Sequence, residues 1–212
     1  MIKMKDQGNF ETVPQIVSDI ISCNTAALED YFKENKIDNK IKIDKYISLT
    51  PLDIALIMEC FASIKWLVEH KANLNIKNNP SFLIAIRYTD EKTVRYLIEH
   101  GAKVDMENNL KSNAYEQAYF GKKLEYFHLI DELGYSAAKH GGETFRKGVR
   151  KKDYRVMEFF LGKGVDINYN KPDMVYPFKP TPLCVAVRYV DFEMVKYLVE
   201  HGADITDRKS VV

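Results

Sequence analysis

Thr50-Pro51-Leu52-Asp53-Ile54-Ala55 returns later in the chain as Thr181-Pro182-Leu183-Cys184-Val185-Ala186. Each hexapeptide is followed at the same distance by a second shared stretch. It reads Leu67-Val68-Glu69-His70-Lys71-Ala72 after the first and Leu198-Val199-Glu200-His201-Gly202-Ala203 after the second. A further copy of that stretch, Leu97-Ile98-Glu99-His100-Gly101-Ala102, lies between them. With the Thr of Thr-Pro-Leu as position zero, copies start at Thr50, Pro80, Asn113, Glu143 and Thr181, at spacings of 30, 33, 30 and 38. A divergent copy is anchored near Pro14, with Ile16, Leu28, Tyr31 and Phe32 as its apolar positions. Self-similarity at such a period marks a stacked array, because a repeat of that size cannot bury its apolar face without a neighbour.

Each repeat reads as two helices and a loop. Thr50 and Thr181 supply a side-chain oxygen to cap a first helix, and Pro51 and Pro182 fill its first position, where a missing N–H leaves no bond unmade. Five positions past zero stand Ala55, Ala85, Ala118, Gly148 and Ala186, all small enough for helices of adjacent repeats to approach closely. Fourteen positions past zero stand Ile64, Val94, Phe127, Met157 and Val195. Three residues further come Leu67, Leu97, Ile130, Phe160 and Leu198, so one apolar stripe runs along a second helix. That helix stops at Gly101, Gly134, Gly164 and Gly202, where a left-handed residue is favoured; Lys71 takes this place in one repeat. The spacings predict an all-α chain of about six stacked helix–turn–helix repeats with hairpin-like loops. They start near residues 14, 50, 80, 113, 143 and 181, between tails at 1–12 and 208–212.

On these residues the chain resembles the ankyrin-repeat family over about residues 13–207. The family's Thr-Pro-Leu-His box is altered in the middle repeats, to Pro80-Ser81-Phe82-Leu83, Asn113-Ala114-Tyr115-Glu116 and Glu143-Thr144-Phe145-Arg146. Loop geometry is expected to depart from the family there. The resemblance implies an ankyrin-repeat solenoid that binds through a concave surface made by its first helices and loop tips.

Composition narrows the function classes. The 212-residue chain carries 31 Lys and Arg against 30 Asp and Glu, a formal charge of +1. That balance excludes a strongly basic nucleic-acid tail and an acidic disordered one. A hydrophobic content of 46% and an aromatic content of 12% are enough to fold a core. Cys23, Cys60 and Cys184 are odd in number and widely spaced, so no disulfide framework is expected. The first ten residues have no apolar core of a secretory signal, and no apolar run approaches the roughly 20 residues of a membrane span. The expectation is a soluble, cytoplasmic protein with no membrane partner, monomeric by itself.

No Walker loop, G-x-G-x-x-G, H-E-x-x-H, G-x-S-x-G or C-x-x-C occurs, so neither an enzyme nor a cofactor is expected. His140-Gly141-Gly142 resembles a lipase oxyanion loop but has no nucleophile elbow to serve. His70, His100 and His201 share one position at the end of a second helix, where an imidazole suits the last free carbonyls. They are read as helix caps, and no metal site is expected.

Binding residues are expected seven and eight positions past zero, at the end of each first helix. They are Ile57 and Met58, Arg87 and Tyr88, Phe120 and Gly121, Arg150 and Lys151, and Arg188 and Tyr189. Arg, Tyr, Phe and Met are the types enriched at interface cores. From Lys139 to Lys163 eight Lys and Arg face three acids, a net +5 that includes Arg146 and Lys147 on the same first helix as Arg150 and Lys151. A positive patch of this kind orients a partner with an acidic surface. The long spacing before Thr181 falls in Asn168–Pro180, where Met174, Tyr176 and Phe178 are set among three prolines as further contact candidates. Together these predict a non-catalytic module that binds a folded protein, as an adaptor or as a stoichiometric inhibitor. The alternative is a binder of an anionic ligand or RNA through the basic fifth repeat, with nucleic acid disfavoured because the other repeats bring no basic stripe.

Overall fold

The computed structural model describes residues 14–172 and 179–206. The chain divides between Lys103 and Val104 into two compact units. In the N-terminal unit, α1 (Gln15–Ile21) and α2 (Thr25–Tyr31) form the first repeat. A small antiparallel hairpin follows, β1 (Ile41–Lys42) with β2 (Ser48–Leu49), pairing Ile41 with Leu49 and Lys42 with Ser48. Then come α3 (Pro51–Ile57), α4 (Phe61–Glu69), α5 (Ser81–Tyr88) and α6 (Glu91–Glu99). The C-terminal unit holds α7 (Ala114–Phe120), α8 (Tyr126–Glu132), α9 (Ala137–His140), α10 (Gly142–Lys151), α11 (Tyr154–Gly162), α12 (Pro182–Arg188) and α13 (Phe192–Glu200). Apart from that hairpin, the regular structure of the described residues is helical, mostly in successive pairs.

Local signals account for the helix limits. Thr50 Oγ1 accepts from the Asp53 amide at 3.1 Å, and Asp53 Oδ2 accepts from the Thr50 amide at 3.0 Å, a reciprocal cap. Thr181 caps α12 in the same way, accepting from Cys184 N. The Asn113 and Glu116 side chains rebuild the reciprocal cap on α7 without a Thr-Pro-Leu box. Left-handed residues close the second helices at Gly101, Gly134, Gly164 and Gly202, and Lys71 adopts the same conformation at φ 69°. His70, His100 and His201 end α4, α6 and α13. Each ring Nδ1 lies 2.7–2.8 Å from the carbonyl oxygen four residues earlier and stacks on that residue's ring.

Packing follows the columns read in the sequence. Ala55, Ala85 and Ala118 are fully buried, as are Leu67, Leu97, Ile130, Phe160 and Leu198. In the N-terminal unit α3 packs on α1, α4 and α5. In the C-terminal unit α10 packs on α7, α9, α11 and α12. Its core is aromatic: Tyr115 meets Phe127 and Phe160 at 5.9 and 5.3 Å between ring centroids, and its hydroxyl donates to the Tyr135 carbonyl. Loops are braced from repeat to repeat by one recurring bond. Asn73 N donates to Asp38 Oδ1, Lys103 N to Asn75 Oδ1 and Asp204 N to Asn168 Oδ1, at 2.8–2.9 Å.

The fold corrects three readings. Cys23 and Cys60, expected to be unpaired, form a disulfide with their Cα atoms 6.0 Å apart, joining the α1–α2 turn to the start of α4. Cysteine spacing carries no pairing information, and only the stacking of the first two repeats brings them together. Glu143, taken as position zero of the fifth repeat, lies inside α10, because that helix begins at Gly142 after the extra turn of α9. The His140-Gly141-Gly142 stretch has a packing role: a β-carbon on Gly141 would collide with the Phe160 ring, and one on Gly142 with Tyr169.

Candidate functional site

The binding residues expected seven and eight positions past zero lie at the C-terminal ends of first helices. Ile57 closes α3 and Met58 is its cap residue, 47% exposed. Arg87 and Tyr88 end α5, the guanidinium 5.3 Å from the tyrosine ring centre. In the C-terminal unit Phe120 ends α7, half exposed, and Arg150 and Lys151 end α10. Arg188 ends α12, and Tyr189 is its cap residue at 56% exposure. Ile57, Arg87, Gly121 and Arg150 are half-buried and the others exposed. Each helix is held by its buried face, so these side chains stand on rigid supports. The cations also lie where the helix dipole favours positive charge. Met174, Tyr176 and Phe178 lie outside the described residues.

The basic fifth repeat is largely neutralised. Arg146 is 1% exposed and pairs with Glu143, while Lys147 Nζ bonds both Glu116 and Glu143. Lys152 pairs with Asp191 at 2.8 Å and Lys163 with Asp131 at 2.7 Å, which holds both aspartates below the usual carboxylate range. Arg155 lies 3.6 Å from Asp153. Of the eight cations, Lys139, Arg150 and Lys151 remain outside any ion pair among the described residues. The +5 of the segment is therefore mostly spent on acids brought in from α7, α8 and the start of α13.

Arg146 has a role that sequence reasoning missed. Its Nη1 donates to the carbonyls of Lys171, at 2.6 Å, and Pro180, at 3.0 Å, so one guanidinium holds both sides of the long loop. Its cation also lies 5.3 Å from the Tyr169 ring centre. The available signal was the Glu143, Arg146, Lys147 spacing, which puts the acid three and four residues before two cations on one helix. A second feature missed is a cleft of about 460 Å³ in the N-terminal unit, lined by Phe61, Glu91, Lys92, Arg95, Tyr96 and Glu99. Arg95 pairs there with Glu91 at 2.6 Å, and Phe61 packs edge-on against Tyr96.

Capped helix pairs stacked in register, with exposed residues at the ends of their first helices, define a repeat protein whose usable surface is repeated with the fold. The ankyrin repeat family model matches residues 49–79 and 181–210. The crystal structure of an ankyrin repeat domain from Acinetobacter baumannii AYE is similar in fold, with a TM-score of 0.61 and 20% sequence identity. That similarity covers 90% of this chain and 98% of the other. No curated protein matches the chain by sequence. The match marks residues 49–79 and 181–210 as ankyrin repeats, and the fold is the all-α ankyrin-repeat solenoid.

Proposed function

We propose that the protein is a non-catalytic module that binds a folded partner through the first-helix ends and loop tips of its repeats, as an adaptor or a stoichiometric inhibitor. Ankyrin repeats are in general protein–protein interaction modules, and no helix among the described residues is long and apolar enough to cross a membrane. The observation that carries the reading is the column Met58, Tyr88, Phe120, Lys151 and Tyr189. In the N-terminal unit Met58 and Tyr88, and in the C-terminal unit Phe120, Lys151 and Tyr189, are exposed at the ends of first helices, four of them eight positions past zero and Phe120 seven. Such residues stand on helices already held in place, which lowers the ordering cost of binding. Arg150 and Lys151 favour an acidic surface on the partner. Met174, Tyr176 and Phe178 join the proposed contacts on the sequence reading. The cytoplasm is the proposed place of action.

The test is affinity capture with crosslinking, followed by kinetics on variants. Tyr88→Ala and Tyr189→Ala should raise the dissociation rate, and Arg150→Glu with Lys151→Glu should slow association, because steering charges act on encounter. Normal binding by all of these variants would move the interface elsewhere. The anionic-ligand or RNA alternative would show as binding that falls steeply with salt. The ion pairing of Arg146, Lys147, Lys152 and Lys163 leaves it few cations to work with.

A further inference from the structure

We infer that Cys23 is the site at which a small-molecule thiol opens the Cys23–Cys60 disulfide, with Cys60 as the leaving and returning sulfur. The bond is thereby a reversible redox switch on the first repeat. The observation is an asymmetry across one bond. Cys23 is exposed, in the turn between α1 and α2, whereas Cys60 is 5% exposed at the start of α4. Thiol–disulfide exchange depends on which sulfur can be reached and on which one leaves more readily. Both conditions point the same way here. Cys60 is the N-terminal cap residue of the nine-residue α4, which has no side-chain cap bond, and the positive end of the helix dipole favours a departing thiolate there.

The local structure suits the open state as well as the closed one. Cys23 stands nine positions past the start of its repeat, in the left-handed conformation at φ 59°. Glu59, Lys122 and Lys152 hold the same place in other repeats at φ 57°, 59° and 56°, with no disulfide to impose it. The turn therefore forms without the bond, and opening leaves Cys23 in solvent on an unchanged backbone. On the other side, Ser63 Oγ donates to the Ile20 carbonyl at 2.8 Å and lies 3.3 Å from Cys60 Sγ. Its lone pairs are placed to accept the proton of a Cys60 thiol, so the reduced sulfur keeps a polar partner while buried.

The step balances with the thiol as its one co-reactant. Its thiolate attacks Cys23 Sγ and a new S–S bond forms there. The electron pair of the old bond leaves on Cys60 Sγ, which takes a proton from water. A second thiolate attacks the small-molecule sulfur of the adduct and frees Cys23, so two thiols are oxidised to one disulfide while the protein disulfide is reduced. In reverse, the oxidised small disulfide recloses the bond through the same adduct. What the bond holds is chiefly α2. Leu28 is the buried residue of that helix, and beyond it Phe32 stacks on Trp66 with centroids 5.7 Å apart and Glu29 lies 3.7 Å from His70. α1, by contrast, buries Ile16, Val17 and Ile20 and packs on α3. Opening therefore loosens α2 before α1.

This inference stands apart from the partner-binding reading and needs no partner in the assay. The oxidised full chain is mixed with glutathione, quenched at intervals in acid denaturant, alkylated, and mapped by peptide mass spectrometry. The expected first product carries glutathione on Cys23 and the alkyl group on Cys60, in excess over the reverse product by about tenfold or more. With oxidised glutathione, Cys60→Ser should gain the adduct at Cys23 about tenfold faster than Cys23→Ser gains it at Cys60. Amide exchange in α2 should quicken by about tenfold on opening, stay unchanged in α5 and α6, and return when oxidised glutathione recloses the bond. Glutathione found mainly on Cys60, or equally on both, overturns the inference. So does exchange in α2 that is the same open and closed, or a chain in which Cys23 and Cys60 stay unlinked in oxidised glutathione.

Discussion

Two first helices, α3 in the N-terminal unit and α10 in the C-terminal unit, are anchored with opposite chemistry. In the N-terminal unit the anchor is local: Thr50 and Asp53 cap each other within one turn, and Asn79 adds one bond to Asp53 Oδ2 at 2.8 Å. In the C-terminal unit α10 has no side-chain cap, and its anchor is the buried set of Glu116, Glu143, Arg146 and Lys147. Those residues come from two helices and reach two loop carbonyls 25 and 34 residues away. A Thr-Pro-Leu box can therefore be lost from a repeat when buried ion pairs take over its anchoring. The two solutions fail differently, because a local cap loses one bond, whereas a broken ion network leaves a charge stranded out of water.

The strongest way to break this contrast is Arg146→Ala. It strands Glu143 beside Lys147 and releases the Lys171 and Pro180 carbonyls, and should cost about 3–5 kcal/mol. Hydrogen exchange should show protection lost from α10 and α12 while α3 to α6 keep theirs. A loss below about 1 kcal/mol would mean that the network is a set of surface pairs.

The N-terminal unit has one non-local tie of its own, and reduction tests it. Opening the Cys23–Cys60 disulfide, which spans a sequence separation of 37, should cost about 2–4 kcal/mol. The effect should be confined to α1, α2 and the start of α4. Denaturation with and without a thiol reductant, with alkylation to count free thiols, measures it. An unchanged midpoint would leave the first repeat held by packing alone.

Ala85→Leu probes the small-residue column. Ala85 is 0% exposed on α5, and the added volume should destabilise the fold by about 1–3 kcal/mol. An unchanged melting curve would contradict the packing of α3 against α5. Thr50→Ala removes one half of the reciprocal cap and should cost about 1 kcal/mol, read from the shift in denaturation midpoint. A cost equal to that of Arg146→Ala would erase the distinction between the two kinds of anchor.

Acid should separate the units most gently. Asp131 and Asp191 are held low by hydrogen bonds from Lys163 and Lys152, so their stabilisation is present above the ordinary carboxylate pKa and is lost as pH falls through the lowered values. Burial pushes Asp53 up, against the bonds from Thr50 and Asn79. Its contribution is full below the ordinary value and is lost as pH rises through the raised one. Going below about pH 4 should therefore cost α8, α11 and the start of α13 protection that α3 keeps. Exchange measured at several pH values checks the order, and loss from α3 before α11 would reverse the assignment.

Much of the fold was legible because its signals are short-range. A cap and the amide it accepts are three residues apart, as at Thr50 and Asp53, and the left-handed stop at Gly101 or Lys71 follows from the backbone of a single residue. The place of the candidate contact residues was legible for the same reason: a position seven or eight residues past a helix start falls at that helix's end wherever the helix goes. Arg146 was not, since its charge in the sequence is indistinguishable from that of Arg150 four positions away in the same segment. One is buried against loop carbonyls and the other is half-buried, and that depends on the rotation of α10 against α7 and α12.

The amino-acid sequence by itself determined the repeat period, the pairing of helices, the caps and stops, and which ends of the helices carry exposed aromatic and basic residues. These rest on bonds and sterics within a few residues of each other, which a linear pattern records. The tertiary structure alone decided the Cys23–Cys60 bond, the neutralisation of the fifth repeat and the clasp of Arg146 on the long loop. Each of these depends on what lies across a packed interface, from residues tens of positions away. Burial there converts a charge into an anchor and two thiols into a staple.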